Sequence, residues 1–183
     1  MNGIFEFDQA KALVELGHEV IYAAVDMRSI RRWRRWGYES FIKEGVQVES
    51  INIPCGRIPK IILNKISEFA LKNFYNKIIK KYGEPEIIHS HFIGVGYIAA
   101  EVLKNIEVPL VHTEHFSGMN QENLSKYYYN LALNTYKYMD KVIAVSTPLA
   151  ESLDKKFQVE ATVIPNIVDT RSFLYKPIML SNA

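Results

Sequence analysis

Apolar residues along the chain recur in two ways, at the three-and-four spacing of a helix face and in short runs bounded by Gly, Pro and charged side chains. From residue 4 to 16, Phe7, Ala10, Leu13 and Val14 share one helix face, and Gly17 follows where a left-handed residue ends a helix. Val20 to Val25 reads as a strand leaving at Asp26, and Val46 to Ile53 as a second, closed by Pro54, Gly56 and Pro59. Arg28 to Tyr38, basic and Trp-containing, is expected as loop and short helix. From Lys60 to Tyr82, Ile62, Ile66, Phe69, Ala70, Phe74 and Ile78 predict a long amphipathic helix with lysines opposite, ended by Gly83 and Pro85.

The second half alternates more regularly. Strand 87–92 precedes a helix over 95–103, strand 109–115 a Tyr-rich helix over 124–139, and strand 140–146 a helix running to about Lys156. Pro148 sits in that last helix's first turn, where its missing N–H costs nothing, and Ser146 or Thr147 is placed to cap it. A short strand over 161–165 is followed by residues 166–183, which have linker character. Six strands alternating with helices predict an α/β three-layer, Rossmann-like fold with a mainly parallel sheet.

At 183 residues one sizeable core is the default. A net charge of +2 gives no bulk electrostatic reason to expect nucleic acid. The lone Cys55 has no partner for an internal disulfide, which points to a reducing, cytoplasmic setting. No apolar run is long enough to cross a bilayer, and Glu6 and Asp8 interrupt any signal-peptide core. The Asn123-Leu124-Ser125 triplet is read as a chance glycosylation match.

In an open parallel sheet, ligands meet the side chains displayed at the carboxyl ends of the strands. Two strands end in polar residues there, Pro109-Leu110-Val111-His112-Thr113-Glu114-His115 and Glu86-Ile87-Ile88-His89-Ser90-His91-Phe92. His115 and His91 are therefore the leading candidates, facing one cleft. A metal site is not expected: His112 and His115 are three apart and point to opposite faces of an extended strand. His112 and His89 read as residues satisfied within the sheet layers. Gly94 and Gly96 bring a helix start close either to a ligand or to a strand. Arg28, Arg31, Arg32, Arg34 and Arg35 around Trp33 and Trp36 suit an acceptor phosphate or anionic headgroups, a solvated helix being the simpler reading. Tyr127, Tyr128, Tyr129, Tyr136 and Tyr138 are read as packing residues.

Leu13-Val14-Glu15-Leu16-Gly17-His18-Glu19-Val20, Ile87-Ile88-His89-Ser90-His91, Thr113-Glu114-His115, Val142-Ile143-Ala144-Val145-Ser146 with Leu149-Ala150-Glu151, and Val163-Ile164-Pro165-Asn166 with Val168-Asp169 and Phe173 stand in the order and spacing of a known pattern. Together they resemble the N-terminal half of retaining glycosyltransferases of family 4, in which two Rossmann-like lobes face each other across a cleft, the GT-B arrangement. The resemblance implies an acceptor-side domain over residues 1–165, an interdomain linker or tail over 166–183, and a donor-binding domain absent from this chain. It implies sugar transfer from a nucleotide-sugar donor to a hydroxyl of a sugar or lipid-linked acceptor with retention, in polysaccharide or glycolipid synthesis, without cofactor or metal. His115 matches the family's histidine near the transferred sugar, and Gly3, His91, Gly94, Glu114, Ser146 and Asn166 are the substrate-binding candidates. Glu114 and Glu122 match the family's Glu-x7-Glu donor signature by chance spacing only.

The pattern departs from the family in three places. Asn2-Gly3 stands where a first strand has already passed into a Gly-rich loop, so a central strand is missing; a gap is expected, or its filling by Ile178-Met179-Leu180 or a second copy of the chain. No donor domain follows Phe173, so the chain alone is expected to be inactive. Ile167 replaces the Gly that usually follows Pro-Asn. Two other classes stay open. One is a non-catalytic carbohydrate-binding or assembly module of this fold. The other is half of a nicotinamide-dependent dehydrogenase using Asp26 for the ribose, although no Gly-x-Gly-x-x-Gly turn is present.

Overall fold

The computed structural model describes residues 4–27, 36–55 and 58–167. In chain order these form α1 (Ile4–Glu15), β1 (Ile21–Asp26), β2 (Gly37–Lys43), β3 (Val46–Asn52), α2 (Lys60–Tyr82), β4 (Ile88–His91), α3 (Ile93–Leu103), β5 (Leu110–Glu114), a 3-10 turn (Ser117–Asn120), α4 (Lys126–Tyr136), β6 (Lys141–Ala144), α5 (Thr147–Phe157) and β7 (Ala161–Val163). The elements assemble into an α/β fold with two sheets where the sequence predicts one. β4-β5-β6-β7 is wholly parallel, while β1-β3-β2 pairs β1 parallel and β2 antiparallel to β3. The break falls between the strand before α2 and the strand carrying His91, where a central strand was expected to be missing. Residues 178–180, considered as a filler, lie outside the described residues.

β2 is a strand that periodicity does not reveal. It forms a hairpin with β3 through Glu44 and Gly45, both with positive φ (48° and 83°), the backbone of a two-residue turn that follows strand twist. The reading of Arg28–Tyr38 as loop and helix falls mostly outside the described residues. At its end Trp36 is exposed and Gly37 already belongs to β2. Elsewhere the punctuation acts as expected: α1 ends at Gly17 with φ 91°, and α2 at Gly83 with φ 87°.

α1 and α2 lie on opposite faces of the first sheet. Phe7 and Ala10 of α1 bury against Val46 and Val48 of β3, with Tyr22 of β1 beside them. On the other face, α2 sends Lys81 and Tyr82 to Glu49 of β3. The buried side of α2 is centred on Ala70 and Phe74. Phe69, expected to face the core, is 72% exposed, and Ile62 is exposed as well. One residue is a 100° turn of helix, so packing on Ala70 carries Phe69 outward. In the second sheet, Val142 and Ala144 of β6 join Leu149 and Leu153 of α5, Leu131, Ala132 and Tyr136 of α4, and Ile93 of α3 in one apolar cluster.

Glu49 is fully buried, yet it is charged because donors surround it. Tyr38 and Tyr82 donate to its carboxylate, as do Ser40 at 2.8 Å, Lys81 at 2.9 Å and Gln47 at 3.1 Å. Burial works against the charge, but the bonds from Tyr38, Tyr82, Lys81 and Ser40 outweigh it and bring the pKa from 4.5 down to about 2. A depressed folded-state pKa stabilises fully above the unfolded value and is lost as pH falls through the folded one. Urea melts between pH 4.5 and 2 should therefore record this loss. Glu49→Gln is expected to remove that part of the acid profile and to cost about 1–3 kcal/mol at pH 7; an unchanged profile would contradict the assignment.

Candidate functional site

β4 and β5 run side by side in parallel, with His91 opposite Thr113, so their carboxyl ends form one rim. Side chains alternate across the sheet, which sorts the histidines into two groups. Ser90, His112 and Glu114 lie on the face covered by α3 and α4, while His89 and His91 lie on the other. His115, one residue past the end of β5, joins the second group: its Nε2 is 3.1 Å from Nδ1 of His91. His89 stacks on His91 with ring centroids 4.3 Å apart and bonds Thr113 Oγ1 at 2.7 Å. Phe92 and Phe5 complete the rim, their ring centroids 4.7 Å and 6.5 Å from that of His115.

Both paired imidazoles are neutral near pH 7. Burial, then the neighbouring histidines, push His91 from 6.5 down to about 3 and His89 to about 4. Burial also lowers His115, partly offset by the charge of Glu114. A neutral pair shares one hydrogen bond, so one ring donates and the other accepts. His115 Nδ1 is buried without a hydrogen bond, while the nearby Asn166 side chain favours the charged ring. The pair thus brings two neutral imidazole rings to the rim, with no fixed positive charge.

Glu114 does not reach a substrate directly: it is fully buried, pointing into the layer under α3 and α4. Its Oε1 accepts the backbone N–H groups of His115 at 3.0 Å and Phe116 at 2.9 Å, shaping the turn that carries His115. Its Oε2 accepts from Tyr136 at 2.9 Å and faces His112 Nε2 at 3.5 Å. His112 Nδ1 in turn meets Ser90 Oγ at 3.0 Å, so each buried polar group in this layer has a partner. Burial and then Glu114 raise the Tyr136 phenol, keeping it a donor. His112 and His89 are satisfied within the sheet layers, as expected.

The other candidates divide. Gly96 serves packing: a Cβ there would stand 2.6 Å from His112 Cε1, so α3 lies on the strand because the position is bare. Gly94, in contrast, faces open space at the rim. Ser146 occupies the cap position of α5, yet its hydroxyl makes no capping bond. Asn166 lies beside His115. Gly3, Arg31, Arg32, Trp33, Arg34 and Arg35 lie outside the described residues. Among the described residues no three His, Cys, Asp or Glu side chains are gathered to hold a metal, and no helix is long and apolar enough to cross a membrane. Sequence reasoning missed Phe92 and Phe5, whose only signal is an aromatic residue adjoining a strand end or helix start.

A parallel α/β domain with two imidazoles and two aromatic rings at one strand rim has the form of a Rossmann-like sugar-transferase lobe. Residues 7–172 match the model of Glycosyltransferase Family 4, and the chain belongs to that family. This removes the dehydrogenase alternative. Two chains of sucrose-phosphate synthase from Thermosynechococcus elongatus share the fold at 16% sequence identity. One gives a TM-score of 0.62 over 93% of this chain and 88% of its own, the other 0.63 over 89% and 41%. The present chain thus spans less than half of that second chain. No curated protein matches it by sequence.

Proposed function

We propose that residues 1–165 are the acceptor-side lobe of a retaining glycosyltransferase, joined through residues 166–183 to a lobe that holds a nucleotide-sugar. The observation that carries this reading is the His91–His115 pair, 3.1 Å apart at the rim of adjacent parallel strands and not buried in opposite layers. His115 is the catalytic candidate, contacting the transferred sugar or the departing diphosphate; His91 orients it. Gly94, Ser146 and Asn166 border the acceptor path, and Gly3, which precedes α1 in the sequence, is the candidate for the donor phosphates. The departing diphosphate, held mainly by the other lobe, takes the acceptor proton on the same face of the sugar. This lobe's share is proximity and fixed dipoles. Trp36 and the arginines before it suit an acceptor carried on an anionic lipid surface.

The test is product formation. The 183-residue chain alone, incubated with UDP-, GDP- and ADP-sugars and with free or lipid-linked sugar acceptors, is expected to transfer nothing. Joined to a nucleotide-binding lobe it is expected to form a glycoside whose anomeric proton coupling matches that of the donor. Transfer by the isolated chain, or inversion in the joined protein, would overturn the reading.

A further inference from the structure

We propose that Phe92 is a stacking platform for the acceptor, receiving the carbon face of a pyranose ring beside His91 and His115. The proposal rests on the transferase reading of this rim and adds to it a residue that sets which sugars fit.

Phe92 caps the start of α3 with φ 62° and ψ 139°, backbone space that a bulky L side chain adopts only under strain. Three hydrogen bonds hold it there. Its N–H donates to Thr113 at 3.1 Å, and its carbonyl accepts from Val95 at 3.0 Å and Gly96 at 2.9 Å. Glycine would meet this geometry without strain. Nor does core packing account for a phenyl group, because the residue is 36% exposed. A strained, conspicuous aromatic side chain at a strand rim is most simply explained by what it meets there.

The surroundings define the ligand's chemistry. Phe5 and Val95 are also exposed apolar groups, Gly94 leaves open space, and the half-buried imidazole of His115 lies 4.7 Å from the Phe92 ring, centroid to centroid. An apolar platform edged by neutral imidazoles fits a molecule with a C–H face and a ring of hydroxyls, which is a pyranose. It offers a phosphate little, since His91 and His89 resist protonation until pH 3 to 4.

Saturation-transfer NMR on the 183-residue chain, with methyl gluco-, galacto- and mannopyranosides and with uridine for comparison, tests the platform. At least one pyranoside is expected to take up saturation on its C–H protons. Phe92→Gly should melt at or above wild type yet lose about tenfold in that affinity. Phe92→Trp should retain it and Phe92→Leu should not, which keeps the test decisive if the glycine variant folds poorly. Binding by the glycine and leucine variants as tight as that of wild type, binding of uridine alone, or no pyranoside binding by wild type would each overturn the proposal. The transferase reading is judged separately. In the chain joined to a nucleotide-binding lobe, product formed with Phe92→Gly at an unchanged acceptor KM defeats the platform and leaves the transferase, whereas Phe92-dependent sugar binding without any product from that joined protein defeats the transferase alone.

Discussion

In the chain joined to a nucleotide-binding lobe, replacing His115 with alanine is expected to lower kcat for sugar transfer by about a hundred- to a thousandfold, the range found when one preorganised donor to a developing charge is removed. The acceptor KM should change less, because in the proposed site the acceptor also meets Phe92 and Gly94. Stability should fall only modestly: the substitution takes one bond from His91 and ring contacts from Phe5 and Phe92, all at a half-open edge. His91→Ala should cost less in kcat, since the part proposed for His91 is to orient His115. The pH profile discriminates further. With its pKa at about 3, His91 stays neutral through pH 6 to 8 and should add no limb to kcat in that range, and burial moves any limb from His115 to the acid side of an ordinary imidazole. A His115→Ala enzyme within threefold of wild type would remove His115 from the chemistry.

The same shifts bear on stability with a definite sign. A histidine whose folded-state pKa lies below its unfolded value of 6.5 leaves the unfolded chain binding more protons at acid pH, so stability declines as pH falls from 6.5 through 4 and 3 for His89 and His91. Glu49 adds its own loss only below 4.5. Between pH 6.5 and 4.5 the histidine loss stands apart from that of Glu49, whereas below 4.5 the two overlap and Glu49→Gln is needed to divide them.

Much of the second half was legible in sequence because its parallel strands are short apolar runs with polar exits. The opposite destinations of His112 and His115 followed from strand alternation alone. β2 escaped because Tyr38-Glu39-Ser40-Phe41-Ile42-Lys43 mixes polar and apolar positions on a largely exposed edge strand. Its one signal was Glu44-Gly45 before an alternating run. The Glu49 cluster was invisible for another reason: its donors come from β2, β3 and α2, and only the folded chain brings Tyr38, Lys81 and Tyr82 to one carboxylate.

The candidate site divides in the same way. Periodicity brings His91 and His115 to one rim but does not reveal that Glu114, between two exposed-looking polar neighbours, turns inward. Strand alternation puts Glu114 on the side of His112, and nothing in the sequence says that this side is roofed by Tyr136. Phe92 was passed over because an aromatic residue ending an apolar strand looks like core, whereas its positive φ is a property of the fold.

Glu114→Ala should be the most damaging single change in this region, destabilising the chain by about 3–5 kcal/mol. The alanine leaves a void in a closed layer and strips acceptors from the N–H groups of His115 and Phe116, from the Tyr136 phenol and from His112. Each orphaned buried donor bears its own desolvation cost. Glu114→Gln separates the contributions: its amide oxygen still accepts the two backbone N–H groups, while its NH2 faces Tyr136, whose hydroxyl can turn to accept. That variant should fold, lose about 1–2 kcal/mol, and keep the turn carrying His115, so its kcat should stay within about tenfold of wild type. Urea denaturation of both variants with kcat measured on the folded glutamine form checks this. A stable alanine variant would show that the buried carboxylate contributes nothing to the fold, and a glutamine variant as inactive as His115→Ala would show that its charge, beyond the turn it shapes, acts on the reaction.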